Sequence, residues 1–415
     1  MNASIPASPV HAPSTQFPVE NGELVIGGLP LGRLAARVGR TPFYAYDRGL
    51  LTRRVTELRA ALPASIKLHY AMKANPMPAV VGHLVGLVEG IDVASAGELQ
   101  VALDAGADPR EISFAGPGKT DAELFQAVAA GILINLESFR EVPVLAAAAA
   151  ELGLPARVAV RVNPDFELKS SGMKMSGGPK QFGVDAEAVP ELLAEIGRAG
   201  LAFEGFHLFA GSQNLRTEAI IDAQRQCFEL AARLAEHAPG PVKFLNLGGG
   251  FGIPYFPGEQ RLDLAPIGEN LALIQAEAAQ RLPRAELVIE LGRYLVGEAG
   301  VYVCRVLDRK VSRGQIFLVT DGGLHHHLAA SGNFGQVIRK NYPAAIGNRM
   351  SSPVDVASAS VVGPLCTPLD LLADRMPLGH AEVGDLVVIF QSGAYGASAS
   401  PQGFLGHPPV TEVLV

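Results

Sequence analysis

Between residues 66 and 291 the chain alternates short β-branched or apolar runs with segments of helical period. The runs are Ile66–Ala71, Gly90–Ala94, Glu111–Ala115, Ile132–Leu136, Arg157–Val162, Ala202–Phe209, Val242–Leu247 and Glu286–Glu290. Helical period marks Ala96–Ala105, Thr120–Ala130, Phe139–Leu152, Ala186–Arg198, Glu218–His237 and Pro266–Arg281. Gly106, Gly131, Gly153 and Gly200 stand where helix C-termini need glycine. Buried strands separated by helices pair in parallel. Eight of them predict an α/β fold with a closed (β/α)8 TIM barrel. An open doubly wound sheet usually needs fewer strands, and no dinucleotide fingerprint appears in the right context.

Such barrels keep their active sites at the C-terminal ends of the strands. Polar and glycine residues gather at those ends in all eight runs. They are Lys73 and Asn75, Ser95–Glu98, Gly116–Lys119, Asn135–Ser138, Arg161–Pro164, Gly211–Gln213, Gly248–Gly252 and Glu290–Arg293. The rest of the chain is less helical. Residues 299–319 and 383–395 read as strands, 355–362 and 408–415 as weaker ones, and 20–46 as short strand-like pieces. The expected organisation is an N-terminal segment over 1–40, packed in part with a β domain, then the barrel over 41–293 and a C-terminal β domain over 294–415. The Gly/Ser/Lys-rich stretch Lys169–Lys180 is expected to be a mobile loop near the barrel mouth.

The 415 residues, 48% hydrophobic and 18% charged, suffice for a sizeable core and argue against disorder. A net charge of −7 leaves no footprint for nucleic acid or an anionic membrane. No apolar run predicts a membrane span, and the Ala/Ser/Pro-rich start does not read as a secretory signal. Cys227, Cys304 and Cys366 are too scattered for a disulfide framework or a zinc site, so a cytoplasmic setting is expected. His325-His326-His327 lacks metal-ligand spacing and reads as polar loop residues, so no metal is expected.

Lys73 closes Tyr70-Ala71-Met72-Lys73-Ala74-Asn75, just before a helix expected to open at Pro76. A lysine at this place is either solvated or chemically employed. Against a cofactor its amine can become a nucleophile that forms a Schiff base. Gly248-Gly249-Gly250-Phe251-Gly252 follows the seventh run, where barrels often bind phosphate through closely approaching backbone N–H groups. A glycine run alone is more often a tight turn. Glu290 ends the eighth run. It could simply pair with Arg293, but facing a pyridine nitrogen it would keep that nitrogen protonated and strengthen the ring as an electron sink. An amine for an aldehyde, glycines for a phosphate and a carboxylate for a pyridinium together describe pyridoxal 5′-phosphate.

With these motifs, from Thr41–Asp47 through Asp92–Glu98, Gly211-Ser212-Gln213 and Gly363-Pro364-Leu365-Cys366 to Gly393–Gly396, the chain resembles the fold-type III pyridoxal-phosphate decarboxylases. This is the family of diaminopimelate, ornithine and arginine decarboxylases, with an alanine racemase-like two-domain architecture. The resemblance implies an α-decarboxylase of an amino acid or amino-acid conjugate, with Lys73 as the Schiff-base lysine. It places Ser212, the glycines Gly249 and Gly250, Gly292, Arg293 and Tyr395 around phosphate or substrate, and Glu290 at the pyridine nitrogen. It implies head-to-tail homodimers in which Cys366 reaches the neighbouring subunit's site, as a candidate proton donor beside Lys73. An isolated cysteine is otherwise usually a small core residue.

Three departures bear on the side chain recognised. In the stretch His207-Leu208-Phe209-Ala210-Gly211-Ser212-Gln213, Phe209 takes the position at which diaminopimelate decarboxylases stack a histidine on the cofactor. Its phenyl ring can cover the cofactor ring but cannot carry a proton. Thr367 follows Cys366 where relatives place the carboxylate that reads a distal amine, although Asp370 could compensate. The Arg-Pro-x-x-Tyr stretch that helps bind a distal carboxylate has no clear counterpart. The wording is similar to a branch that includes exosortase-associated and carrier-protein-linked amino-acid decarboxylases, so a free amino acid or a carrier-bound aminoacyl group is the expected substrate. Two rivals are a racemase of the same architecture and a non-catalytic cofactor-binding homologue. Racemases of this type place arginine at the pyridine nitrogen, so Glu290 disfavours the first. Retention of Lys73, Cys366 and Tyr395 disfavours the second.

Overall fold

A computed structural model describes residues 10–166, 173–174, 177–350 and 356–415. Half of the Lys169–Lys180 stretch and the first nine residues lie outside the described residues. The chain divides into two compact units, one of Thr52–Gly252 with Leu262–Leu295, the other of Met1–Leu51, Ile253–Arg261 and Val296–Val415.

The first unit is the barrel. Its strands are β1 (Lys67–Ala71), β2 (Gly90–Val93), β3 (Ile112–Phe114), β4 (Leu133–Leu136), β5 (Arg157–Asn163), β6 (Ala202–Leu208), β7 (Phe244–Gly249) and β8 (Glu286–Leu291). Each pairs in parallel with the next, β8 returns to β1, and the β4–β5 pairing leaves no free edge. All eight expected runs are present, and closure rules out the open sheet. Helices fill the intervals where local chemistry asks for them. Thr120 and Glu123 form a capping box before Asp121–Ala130, and Gly131 ends that helix at φ 73°. The helix after β1 opens at Pro78 instead of Pro76, because Met77 takes the cap and Pro78 fits the first helical position. Met72–Ala74 is a 3-10 turn.

The barrel interior is unusually polar. His69 Nδ1 lies 3.1 Å from Asp92 Oδ1, Ser113 Oγ donates to the same oxygen, and Asn135 Nδ2 donates to Ser113 Oγ at 3.3 Å. These four buried side chains link β1 through β4 across the core, where a polar group without a partner would be costly.

The second unit is built on a sheet in the order Ala344–Ile346, Leu386–Ile389, Gly300–Ser312, Gln315–Thr320, Ala357–Val362, Leu371–Leu378. Phe43–Tyr46 pairs antiparallel with Gly300–Ser312 and parallel with Thr411–Leu414. Strand Leu371–Leu378 carries Asp374, Arg375 at φ 43° and Pro377, with register shifts against its neighbour. That irregularity hides it from a period-two reading. The three histidines lie in a turn, as a loop reading expects, and His325, His326 and His327 are buried there. His327 Nε2 lies 2.9 Å from Ser392 Oγ, and its ring packs among Tyr44, Tyr302 and Tyr342.

Burial lowers the His327 pKa to about 3 from an ordinary 6.5. The unfolded chain therefore takes up this proton first. The stabilisation is whole above about pH 6.5 and is lost as pH falls toward 3, at roughly 1.4 kcal/mol per pH unit. Between pH 6.5 and 5 this residue should account for about 2 kcal/mol of lost unfolding free energy. Denaturant titrations of wild type and His327→Gln at both pH values measure it. An equal fall in the two proteins would contradict the assignment.

Candidate active site

The C-terminal end of the barrel collects the residues singled out there. Lys73 lies in the turn after β1, its side chain 42% exposed and its Nζ 3.9 Å from Glu290 Oε1. The same Nζ stands 5.6 Å from the centroid of the Phe209 ring, over its face. Glu290 is buried near the end of β8. His207, on β6, places Nε2 3.0 Å from Glu290 Oε2, and Asn246 Nδ2 on β7 lies 3.5 Å from that oxygen. Burial alone would raise the Glu290 pKa. The His207 hydrogen bond and the Lys73, His207 and Arg161 charges outweigh it and hold the carboxyl well below the usual range. An ionised carboxylate is thus fixed in the barrel mouth beside an amine.

The glycines have a structural reason of their own. A Cβ on Gly250, at φ 69°, would collide with the Gly211 carbonyl oxygen, and one on Gly249 with that of Glu290. Asn214 N donates to Gly250 O and Gly252 N to Asn214 O. The end of β7 is therefore laced to Gly211-Ser212 and seated against β8, as close backbone approach requires. Met173–Lys174 pairs antiparallel with Gly211–Ser212. Gly292 sits against Ala71 and Ala74, which holds Arg293 beside the Lys73 turn.

Several residues here had no role assigned from sequence. His207 orients Glu290. Its signal was alternation, since His207 and Phe209 fall on one face of β6. Arg161 Nη1 lies 2.7 Å from Glu137 Oε1 and its guanidinium 4.9 Å over Phe182. Glu98 accepts from Ala94 N, and burial raises its pKa although Lys73 opposes this.

Cys366, Thr367 and Tyr395 belong to the other unit. Cys366 is exposed, Thr367 N donates to Leu365 O, and Tyr395 has φ 53°. Asp370 lies four residues after Cys366. It is buried, its Oδ1 accepts from Leu324 N and its Oδ2 from Leu365 N, which ties the Cys366 loop down. Among the described residues no His, Cys, Asp or Glu cluster could hold a metal, and no helix is long and apolar enough to cross a membrane.

Residues 48–297 match the family described as pyridoxal-dependent decarboxylase, pyridoxal binding domain. The chain belongs to the pyridoxal-dependent decarboxylases. Among relatives of this decarboxylase, the L-glutamyl-[BtrI acyl-carrier protein] decarboxylase of Niallia circulans is 39% identical over 90% of this chain and 88% of its own length. The 2-[(L-alanin-3-ylcarbamoyl)methyl]-2-hydroxybutanedioate decarboxylase of Staphylococcus aureus is 31% identical over 88% and 92%. The crystal structure of diaminopimelate decarboxylase from Helicobacter pylori complexed with L-lysine is 27% identical, with a TM-score of 0.81 over 92% of this chain and 94% of that one. The cofactor of the family, pyridoxal 5′-phosphate, fits this decarboxylase's donor set: an amine, a buried ionised carboxylate and an aromatic face meet at one barrel end.

Proposed function

We propose that this decarboxylase removes the α-carboxylate of an amino acid whose side chain ends in an uncharged linkage to a larger group, such as a carrier-bound glutamyl. The observation that carries the reaction is Glu290, ionised between His207 and Lys73. Lys73 would hold the cofactor covalently, Glu290 would hold a proton at the pyridine nitrogen, and Phe209 would cover the ring. Ser212, Gly249, Gly250, Gly292 and Arg293 would hold the phosphate end. Pyridoxal phosphate, when bound, supplies the electron sink for carbon–carbon bond cleavage. Lys73 and Cys366 are the candidates for returning a proton to the α-carbon.

The substrate class rests on Thr367 and on the buried Asp370, which leave the Cys366 loop without a free carboxylate for a distal ammonium. Two relatives whose names specify conjugated amino acids, one of them through the alanine 3-position, support it. A head-to-tail homodimer with Cys366 serving the partner subunit accords with exposed Phe334, Val337, Ile338 and Leu369 in the unit that carries it. A cytoplasmic setting accords with three free cysteines.

Carbon dioxide release from carboxyl-labelled diaminopimelate, lysine, ornithine, arginine, glutamate and a glutamyl carrier-protein thioester tests the reading. A missing charged hydrogen bond of ~2 kcal/mol should cost free diaminopimelate roughly thirtyfold in kcat/KM against the thioester. Efficient turnover of free diaminopimelate would refute the substrate class.

A further inference from the structure

The end of the barrel opposite Lys73 holds a cavity of about 460 Å³. Its wall comes from the N-terminal ends of strands, with Lys67 opening β1, Arg157 opening β5 and Glu286 opening β8. Five lining side chains are cationic: Lys67, Arg110, Arg157, Lys243 and Arg284. Three are carboxylates, Glu111, Glu204 and Glu286, and Arg110 is paired outside the wall with Asp108 at 2.6 Å, so the remaining four positive less three negative charges leave the wall cationic by one. The carboxylates are already engaged. Lys67 Nζ lies 2.8 Å from Glu111 and 2.9 Å from Glu286, and Lys243 Nζ lies 3.3 Å from Glu204. Arg157 Nε is 3.8 Å from Glu204. Arg284 is exposed and makes no ion pair or hydrogen bond among the described residues.

The floor supplies an independent observation. His69 is 2% exposed and lines the cavity, and its Nε2 has no hydrogen-bond partner. Its Nδ1 is taken by Asp92. Burial disfavours a charged imidazole here, but the Asp92 charge and hydrogen bond outweigh it and raise the His69 pKa above its ordinary value. A buried polar atom without a hydrogen-bond partner is costly unless a ligand or water supplies one. Nothing in the proposed reaction uses this end of the barrel.

We propose that this cavity is a second ligand site, for a small polyanion carrying carboxylate or phosphate groups, held by Lys67, Arg157, Lys243 and Arg284 and met at the floor by His69. Cations arranged around a concave, partly desolvated site hold such groups through charge-assisted hydrogen bonds. The site is separate from the catalytic reading and stands or falls without it.

The test is calorimetry on the full chain loaded with pyridoxal phosphate, so that the cofactor's own phosphate position is filled. Citrate and inorganic phosphate are titrated separately at low salt. The expected result is one saturable site per chain with a Kd below about 1 mM for citrate. Arg284→Glu should weaken it at least tenfold and Arg284→Gln by less, with cofactor absorbance and melting temperature unchanged in both. Should Arg284→Glu fail these folding checks, Arg284→Gln alone decides, by a loss of at least threefold. Absence of saturable heat for both anions, or a citrate Kd that neither substitution moves, would overturn the proposal.

Discussion

Lys73→Ala should release no detectable carbon dioxide from any substrate that the wild-type protein turns over, and should lose the cofactor absorbance that borohydride removes. Lys73 stands in the turn after β1, at the barrel end where such folds keep their chemistry, within 3.9 Å of an ionised carboxylate. Alanine removes the only side chain proposed to hold the cofactor covalently, and also one of the two candidate proton donors. Folding should survive. The side chain is 42% exposed, and an ion pair of that kind contributes about 1 kcal/mol or less. A folded, fully active variant would contradict the role, and melting temperature separates loss of chemistry from loss of fold.

Glu290→Gln should lower kcat by roughly 10²–10³ with cofactor saturating, the scale of removing one preorganised electrostatic group. The substitution keeps shape and leaves an acceptor for His207 Nε2, so the buried pair can stay hydrogen-bonded. What it removes is the anion. The depressed pKa of Glu290 means that this anion is present across the neutral range, where it can hold a proton on a ring nitrogen opposite it. A merely structural Glu290 would lower the melting temperature and leave kcat alone. Glu290→Asp, which restores the charge at a shorter reach, should recover part of the rate.

The barrel was legible because each strand is bounded by its own signals. Thr120 caps where a cap is needed, and Gly106, Gly131, Gly153 and Gly200 all have positive φ beyond their helices. Lys73, the triple glycine and Glu290 were legible because parallel pairing sends every strand's C-terminal end to one face. What was not legible depends on closure. His207 and Glu290 are 83 positions apart and meet only when β6, β7 and β8 lie side by side. The His69–Asp92–Ser113–Asn135 chain needs four strands in register. Asp370 looked available from its neighbours in sequence, but two backbone N–H groups occupy it. The three histidines read as polar loop residues because they lack metal-ligand spacing, and that reading says nothing of their burial. Here the turn folds inward, and tyrosine rings and Ser392 surround His327.

The most direct test of the central claim is to load the protein with pyridoxal phosphate, reduce it with borohydride, digest it and locate the modified lysine by mass spectrometry. The expected result is one stoichiometric pyridoxyl-phosphate adduct, on Lys73. An adduct at another lysine, such as Lys119, or no adduct on protein that has bound the cofactor, would contradict it.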